Sequence, residues 1–182
     1  MKITRTAIPD VIVLEPKVHG DSRGFFLESF NQRVVDDALG RPTEFVQDNH
    51  SRSRQGVLRG LHYQLREPQG KLVRVVRGAV FDVAVDLRRS SATFGKWVGV
   101  ELSEQAQNQL WVPPGFGHGF LVLTPEADFL YKTTRYYAPQ DERCIAWNDP
   151  DIGIDWPLAG NLPELSAKDQ QGLPFAAAEV FD

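Results

Sequence analysis

The stretch GVLRGLHYQLREPQGKLVRVVRG, residues 56–78, sets a histidine, a glutamine and a lysine at fixed spacing inside a strand-like run. Its pattern is Gly56, five residues, His62, one residue, Gln64, six residues, Lys71, six residues, Gly78. His62 and Tyr63 sit among apolar residues, and Lys71 follows a loop marked by Pro68 and Gly70. A strand that only fills a core has little use for so many polar groups. Polar side chains clustered in the strands of a barrel instead predict a ligand cavity in its mouth.

The surrounding sequence supplies the barrel. Period-two or β-rich segments recur as DVIVLEP, LVRVVRGAVFDVAVDL, KWVGVEL, QLWVPP, GFLVLT, DFLYKTTRYY and CIAWND. Turn residues such as Gly78, Ser90 with Ser91, Pro113 to Gly115, and Pro139 separate them at short intervals. In FDVAVD the valines are β-formers, with Asp82 and Asp86 marking the opposite face or the strand end. This reads as an all-β sandwich or barrel. Two short peripheral helices are predicted: NQRVVDDALG, with Asn31 as N-cap and Gly40 as stop, and LSAKDQQG, with Ser166 as N-cap and Gly172 as stop. No repeat or linker divides residues 1–182, so one domain is expected.

Composition narrows the function classes. Hydrophobic residues make up 42% and charged residues 24%, as in a folded globular protein. The net charge of −4 argues against a nucleic-acid scaffold but leaves room for a locally basic pocket that takes a small anion. The single cysteine, Cys144, excludes an intramolecular disulfide and any paired-cysteine zinc site. The N-terminal stretch has no signal-peptide pattern, and the longest apolar run, near GFLVL, is too short to span a bilayer. A cytoplasmic protein with no membrane or nucleic-acid partner is expected.

The spacing around His62, together with PPGFGHG at residues 113–119, resembles the two motifs of the cupin superfamily of jelly-roll barrels. Metal-binding cupins place His, His and Glu in the first motif and another His in the second. Here Gln64 replaces the second histidine and Lys71 the glutamate. A charged ammonium cannot ligate a cation, and glutamine is a poor transition-metal ligand. The resemblance therefore implies a cupin barrel without a metal site, with a fixed positive charge where a metal would stand.

A closer resemblance runs from about Arg5 to Asp169. The segments FVQDNHS, LRGLHYQ, QGKLVRVVRG, FDVAVDLRRSSATFGKW, WVPPGFGHGFLVL, FLYKTTRYYAP, WNDP and LSAKD follow the order found in the dTDP-4-dehydrorhamnose 3,5-epimerase (RmlC) family. That resemblance implies inversion at carbons 3 and 5 of a dTDP-linked 4-keto-6-deoxy sugar. Both carbons flank the ketone, so each can lose a proton to give an enolate. Such chemistry needs a base, an oxyanion stabiliser and an acid on the opposite face, with no cofactor.

By motif, His62 resembles the family's base, Lys71 its oxyanion stabiliser and Tyr131 its acid. Tyr131 as core filler and Lys71 as a strand-edge charge are the bland alternatives. Asp169 has two readings, as the partner that orients His62 or as the acid of an S-x-x-D capping box with Ser166. The family's binding residues fall on Arg23, Glu28, Gln47, Asp48, Asn49, Arg59, His118, Glu142 and Lys168. The arginines suit a diphosphate, which a planar guanidinium grips in bidentate fashion. The resemblance also implies a homodimer in which Arg23 and Glu28 reach the partner's site. A single-centre epimerase or an isomerase on a related dTDP-sugar is the alternative activity.

Overall fold

A computed structural model describes residues 1–182. Two antiparallel sheets pack face to face. The six-stranded sheet runs in the order β1 (Lys2–Arg5), β2 (Ile12–Glu15), β10 (Gln109–Val112), β7 (Lys71–Arg77), β12 (Glu126–Thr133), β5 (Gln47–Arg54). The five-stranded sheet runs β13 (Glu142–Cys144), β6 (Leu58–Gln64), β11 (Phe116–Val122), β8 (Ala79–Asp86), β9 (Trp97–Ser103). A separate hairpin of β3 (Val18–Asp21) and β4 (Gly24–Leu27) makes a third, two-stranded sheet. The architecture is the all-β sandwich expected from the strand pattern, with the jelly-roll form that the resemblance implies.

Strand alternation sorts the side chains into three apolar layers. Between the sheets lie Val73, Val75, Leu110 and Phe129 from one side and Val80, Ala84, Leu102 and Phe120 from the other. Phe120 and Phe129 stack across this layer with ring centroids 4.2 Å apart. Burying such a side chain completely stabilises the fold by roughly 1.5–3 kcal/mol. This layer fills one end of the sandwich. At the other end the inward positions turn polar.

The outer faces are covered differently. Helix α1 (Gln32–Leu39) lays Val35 onto Ile12, Leu14, Leu72 and Trp111 of the six-stranded sheet. It begins at Asn31, whose side chain accepts from the Val34 N–H, and ends at Gly40 in the left-handed region. Over the five-stranded sheet, irregular chain from Ile145 onward packs Ile152, Trp156 and Ala178 against Leu58, Leu61, Val83 and Val85. The tail is therefore structural: the Phe181 N–H donates to the Leu87 carbonyl, and the Tyr63 hydroxyl donates to the Glu179 carbonyl at 2.5 Å.

One expectation changes. The helix expected over residues 166–172 is a single 3₁₀ turn, Asp169–Gln171. Its would-be cap pulls the chain instead toward the sheet, because Asp169 is bonded to β6. With Asp86 ending β8, Asp82 lies on the face opposite Val83 and Val85, as expected. It faces the interior at 0% exposure, sharing the inward side of β8 with Val80 and Ala84, while Val83 and Val85 point outward.

Candidate active site

The polar end of the sandwich opens into a cavity of about 440 Å³. One wall comes from the five-stranded sheet, where His62 on β6 pairs in register with His118 on β11 and with Cys144 on β13. The opposite wall comes from the six-stranded sheet, where Lys71 begins β7 and Tyr131 pairs with Asn49 and Val73. Lys71, Tyr131, Asn49, His62 and His118 all line this space. Residues far apart in sequence thus meet because two sheets face each other.

Within the five-stranded wall, β6 and β11 approach closely at Gly60 and Gly119. A Cβ at Gly60 would lie 2.6 Å from the Gly119 Cα, a distance that real side chains do not tolerate. With φ at +129°, Gly60 also takes a conformation that L side chains rarely adopt. Its N–H is thereby turned toward Asp169 Oδ1, 3.1 Å away.

His62 Nε2 lies 2.7 Å from Asp169 Oδ1, although its N–H direction does not meet hydrogen-bond geometry toward any acceptor. The other carboxylate oxygen, Oδ2, accepts from the Ser166 hydroxyl at 2.6 Å. The Asp169 N–H in turn donates to Ser166 Oγ at 3.2 Å. Asp169 thus lies within reach of both His62 and Ser166, with Oδ1 toward the imidazole and Oδ2 toward the hydroxyl. Burial works to raise the Asp169 pKa, but His62, Ser166 and the Gly60 N–H outweigh it and hold the carboxyl at about 2. This group is a fixed anion beside the imidazole.

Lys71 and Arg59 form no ion pair with any carboxylate, and Arg59 rests both Nε and Nη2 on the Ser53 hydroxyl. Burial brings the Lys71 pKa down to about 8, with Asp82 and Glu142 holding against a further fall. Behind the lysine, Asp82 lies 3.0 and 3.1 Å from His118 Nε2 through its two oxygens. Burial pushes both members of that pair toward their neutral forms. Tyr131 is pushed up, first by burial and then by Glu142, so its hydroxyl stays protonated well past neutral pH. At the rim, Glu142 accepts from the Tyr137 hydroxyl at 2.6 Å and pairs with Lys168.

Not every expected residue meets here. Gln47 stands back, donating to Asn49 Oδ1 and accepting from the Tyr137 N–H. Asp48 leaves β5 on the face opposite Asn49 and pairs with Lys132 at 2.7 Å. Arg23, on the β3–β4 hairpin, binds its own Asp21. Neither it nor Glu28 lines the cavity within this chain. Gln64, at a cupin ligand position, spends its amide on loop backbone: Nε2 donates to the Glu67 and Tyr136 carbonyls, and Oε1 accepts from the Ala138 N–H.

A family profile described as dTDP-4-dehydrorhamnose 3,5-epimerase matches residues 5–177. The chain belongs to the dTDP-4-dehydrorhamnose 3,5-epimerase family. It is 64% identical over 181 residues to the dTDP-4-dehydrorhamnose 3,5-epimerase of Pseudomonas aeruginosa, covering 100% of this chain and 99% of that one. A crystal structure of the Legionella pneumophila epimerase in complex with dTDP-4-keto-L-rhamnose superposes with a TM-score of 0.95 at 52% identity, covering 98% and 94% of the two chains. A 3′-monoepimerase from Streptomyces bikiniensis, in complex with dTDP-quinovose, gives 0.89 at 35% identity over 96% and 88%.

Within this epimerase family fold, the buried Asp82 beside His118 and the rim place of Tyr137 were not foreseen. Asp82 carried a usable signal, since a lone acid in the alternating run FDVAVD either faces water or is buried with a partner. Tyr137 was read only as an alternative acid with Tyr136, and its rim contact with Glu142 depends on how the loop after β12 is tied down.

Proposed function

We propose that this cavity inverts carbons 3 and 5 with His62 as base, Lys71 as oxyanion stabiliser and Tyr131 as the acid on the opposite face. The activity itself, 3,5-epimerisation of dTDP-4-dehydro-6-deoxy-D-glucose in dTDP-L-rhamnose formation, follows from family membership across nearly the whole chain. The observation that supports the assignment is the placement of His62 and Tyr131 on opposite sheets around one cavity. An inversion needs a proton taken from one face of the sugar and returned to the other.

In the first half-reaction, His62 removes the proton on carbon 3 or 5 through Nδ1, the ring nitrogen not turned to Asp169, and the electron pair moves into the ketone to give an enolate. The imidazolium that forms is stabilised by the Asp169 anion 2.7 Å away. Negative charge gathers on the carbon-4 oxygen, where the Lys71 ammonium stabilises it in a partly dehydrated setting. Tyr131 then donates its phenolic proton to the carbon from the other side. Its raised pKa keeps that proton in place until the enolate arrives.

The reading uses no cofactor and no resident metal. Its support is chemical: Gln64 is consumed by loop backbone, and Lys71 offers a cation instead of a lone pair. Asn49, Arg59, His118, Glu142 and Lys168 are assigned to substrate binding, with Arg59 free of carboxylates to meet the diphosphate. Gln47 supports that surface from behind. Asp48, turned away, acts only through Lys132. Arg23 and Glu28 belong to the partner's cavity in a homodimer, a reading supported by their exposed hairpin, where Phe25 and Phe26 are 64% and 71% exposed. A cytoplasmic location completes the reading, consistent with the absence of any helix long and apolar enough to cross a membrane.

Proton NMR of dTDP-4-keto-6-deoxyglucose incubated with the protein in heavy water tests the function. Deuterium entry with inversion at both carbons is expected. Exchange and inversion confined to one carbon would assign the chain to the single-centre epimerases instead.

A further inference from the structure

His62, Cys144 and Asp169 bring three different ligand types together at one wall of the cavity. Cys144 sits directly opposite His62 in the β6–β13 ladder, which sends both side chains to the same side of the sheet. One ligand atom from each residue lies within 4.8 Å of the other two. The proton transfers above have no use for the thiol. The buried Nε2 of His62 has no aligned hydrogen-bond partner. The carboxylate is already fixed from outside by the Gly60 N–H and the Ser166 hydroxyl, the kind of outer support that metal ligands carry.

We propose that His62, Cys144 and Asp169 form a reversible inhibitory site for Zn²⁺, which takes Nε2, Sγ and a carboxylate oxygen as ligands and withdraws the base from catalysis. Imidazole, thiolate and carboxylate are the donors zinc accepts in tetrahedral sites, and three of them leave the fourth position open to water from the cavity. Zinc–ligand bonds of about 2.0–2.3 Å set neighbouring ligand atoms roughly 3.3–3.8 Å apart. The 2.7 Å contact between His62 and Asp169 must therefore open slightly while the thiol swings inward. As the Zn–S bond forms, the thiol proton leaves to solvent.

The surrounding charge selects among ions. Lys168 is already paired with Glu142, and Lys71 opposes the incoming cation from the facing wall. Only an ion that gains strongly from sulfur and nitrogen overcomes that repulsion. Mg²⁺ and Ca²⁺, which want oxygen ligands, do not fit. The site differs from a resident metal centre because it switches turnover off. Chelation is never harmful, and it restores any protein that has picked up zinc.

The test uses the metals alone on the full-length chain. Titration with Co²⁺ should give a near-ultraviolet thiolate-to-cobalt charge-transfer band, and Zn²⁺ should abolish that band by competition. In turnover assays Zn²⁺ should inhibit competitively with the dTDP-sugar, and a chelator should restore the rate. Losing an outer support of a ligand costs roughly 10–100-fold in metal affinity, so losing a ligand in Cys144→Ser should cost at least about 100-fold. That variant, and Cys144→Ala beside it, should keep parental turnover in metal-free buffer. Cobalt binding without the charge-transfer band would overturn the proposal, as would parental zinc sensitivity in both variants. The cobalt spectrum reads the site even if the assignment of the catalytic groups fails.

Discussion

The carboxylate of Asp169 is divided between two tasks, with Oδ1 2.7 Å from His62 Nε2 and Oδ2 2.6 Å from the Ser166 hydroxyl. The S-x-x-D motif ties Ser166 to Asp169 locally, and in doing so it leaves the remaining oxygen toward His62. Removing the charge and removing its support should therefore differ in size. Asp169→Asn is expected to lower kcat by on the order of 10²–10⁴-fold, because the imidazolium loses its counter-charge. Ser166→Ala deletes two hydrogen bonds, of which only the one to the carboxylate, worth about 1 kcal/mol, bears on its aim, and should cost about fivefold. Steady-state kinetics on both variants decide it; equal losses would mean that Asp169 only holds the turn.

Lys71 ties activity to pH in a stated direction. Burial lowers its pKa to about 8, so the ammonium is complete below that pH and disappears above it. The free-enzyme profile of kcat/KM should fall on the alkaline side with an apparent pKa near 8. Lys71→Met should fold, lose about 10²–10³-fold in rate and show no such limb in what remains. Asp82→Asn, by removing an anion that supports the ammonium, should move the limb to lower pH. A limb that persists unchanged in Lys71→Met would assign it to another group.

One base is asked to serve both carbons. His62→Asn should abolish deuterium entry at carbon 3 and carbon 5 together, with a loss of roughly 10²–10⁴-fold or more. Exchange surviving at either carbon, read by proton NMR, would reveal a second base and end the single-base scheme.

Gln64 has exchanged metal chemistry for loop control. Its amide holds Glu67, Tyr136 and Ala138, and the Tyr136–Ala138 segment presents Tyr137 to Glu142 at the rim. Gln64→Leu keeps the volume but leaves two carbonyls and one N–H without partners, at about 1–3 kcal/mol each. A raised KM with kcat less affected is expected, together with a lower Tm. A fall in kcat alone would place Gln64 in the chemistry.

Much of this was legible in the sequence because spacing along a strand survives folding. His62 and Lys71 sit at positions that one strand, one loop and the next strand project into the same space. The hydrophobic runs of β7, β8 and β11 announced the sandwich. The outer covering was not legible: residues 145–181 pack without periodicity, so Trp156 and Phe181 gave no pattern to read. Asp48 and Asn49 show the reverse case. Adjacent residues of a strand point to opposite faces, and that alternation alone excludes placing both in one cavity. The burial of Asp82 was missed because a strand acid ordinarily marks solvent, and only His118 beside it and the Lys71 charge make that burial tolerable.

The opposite-face roles proposed for His62 and Tyr131 are separated by Tyr131→Phe in heavy water. The substitution removes only the hydroxyl and leaves the ring beside Phe129. His62 and Lys71 remain, so the enolate should still form, and His62 should return deuterium to the face it came from. The account predicts deuterium entering with the original configuration retained while inverted product falls sharply, read carbon by carbon by proton NMR. A parental ratio of inversion to exchange would contradict it, make Tyr131 a packing residue, and pass the acid's role to Tyr136 or Tyr137.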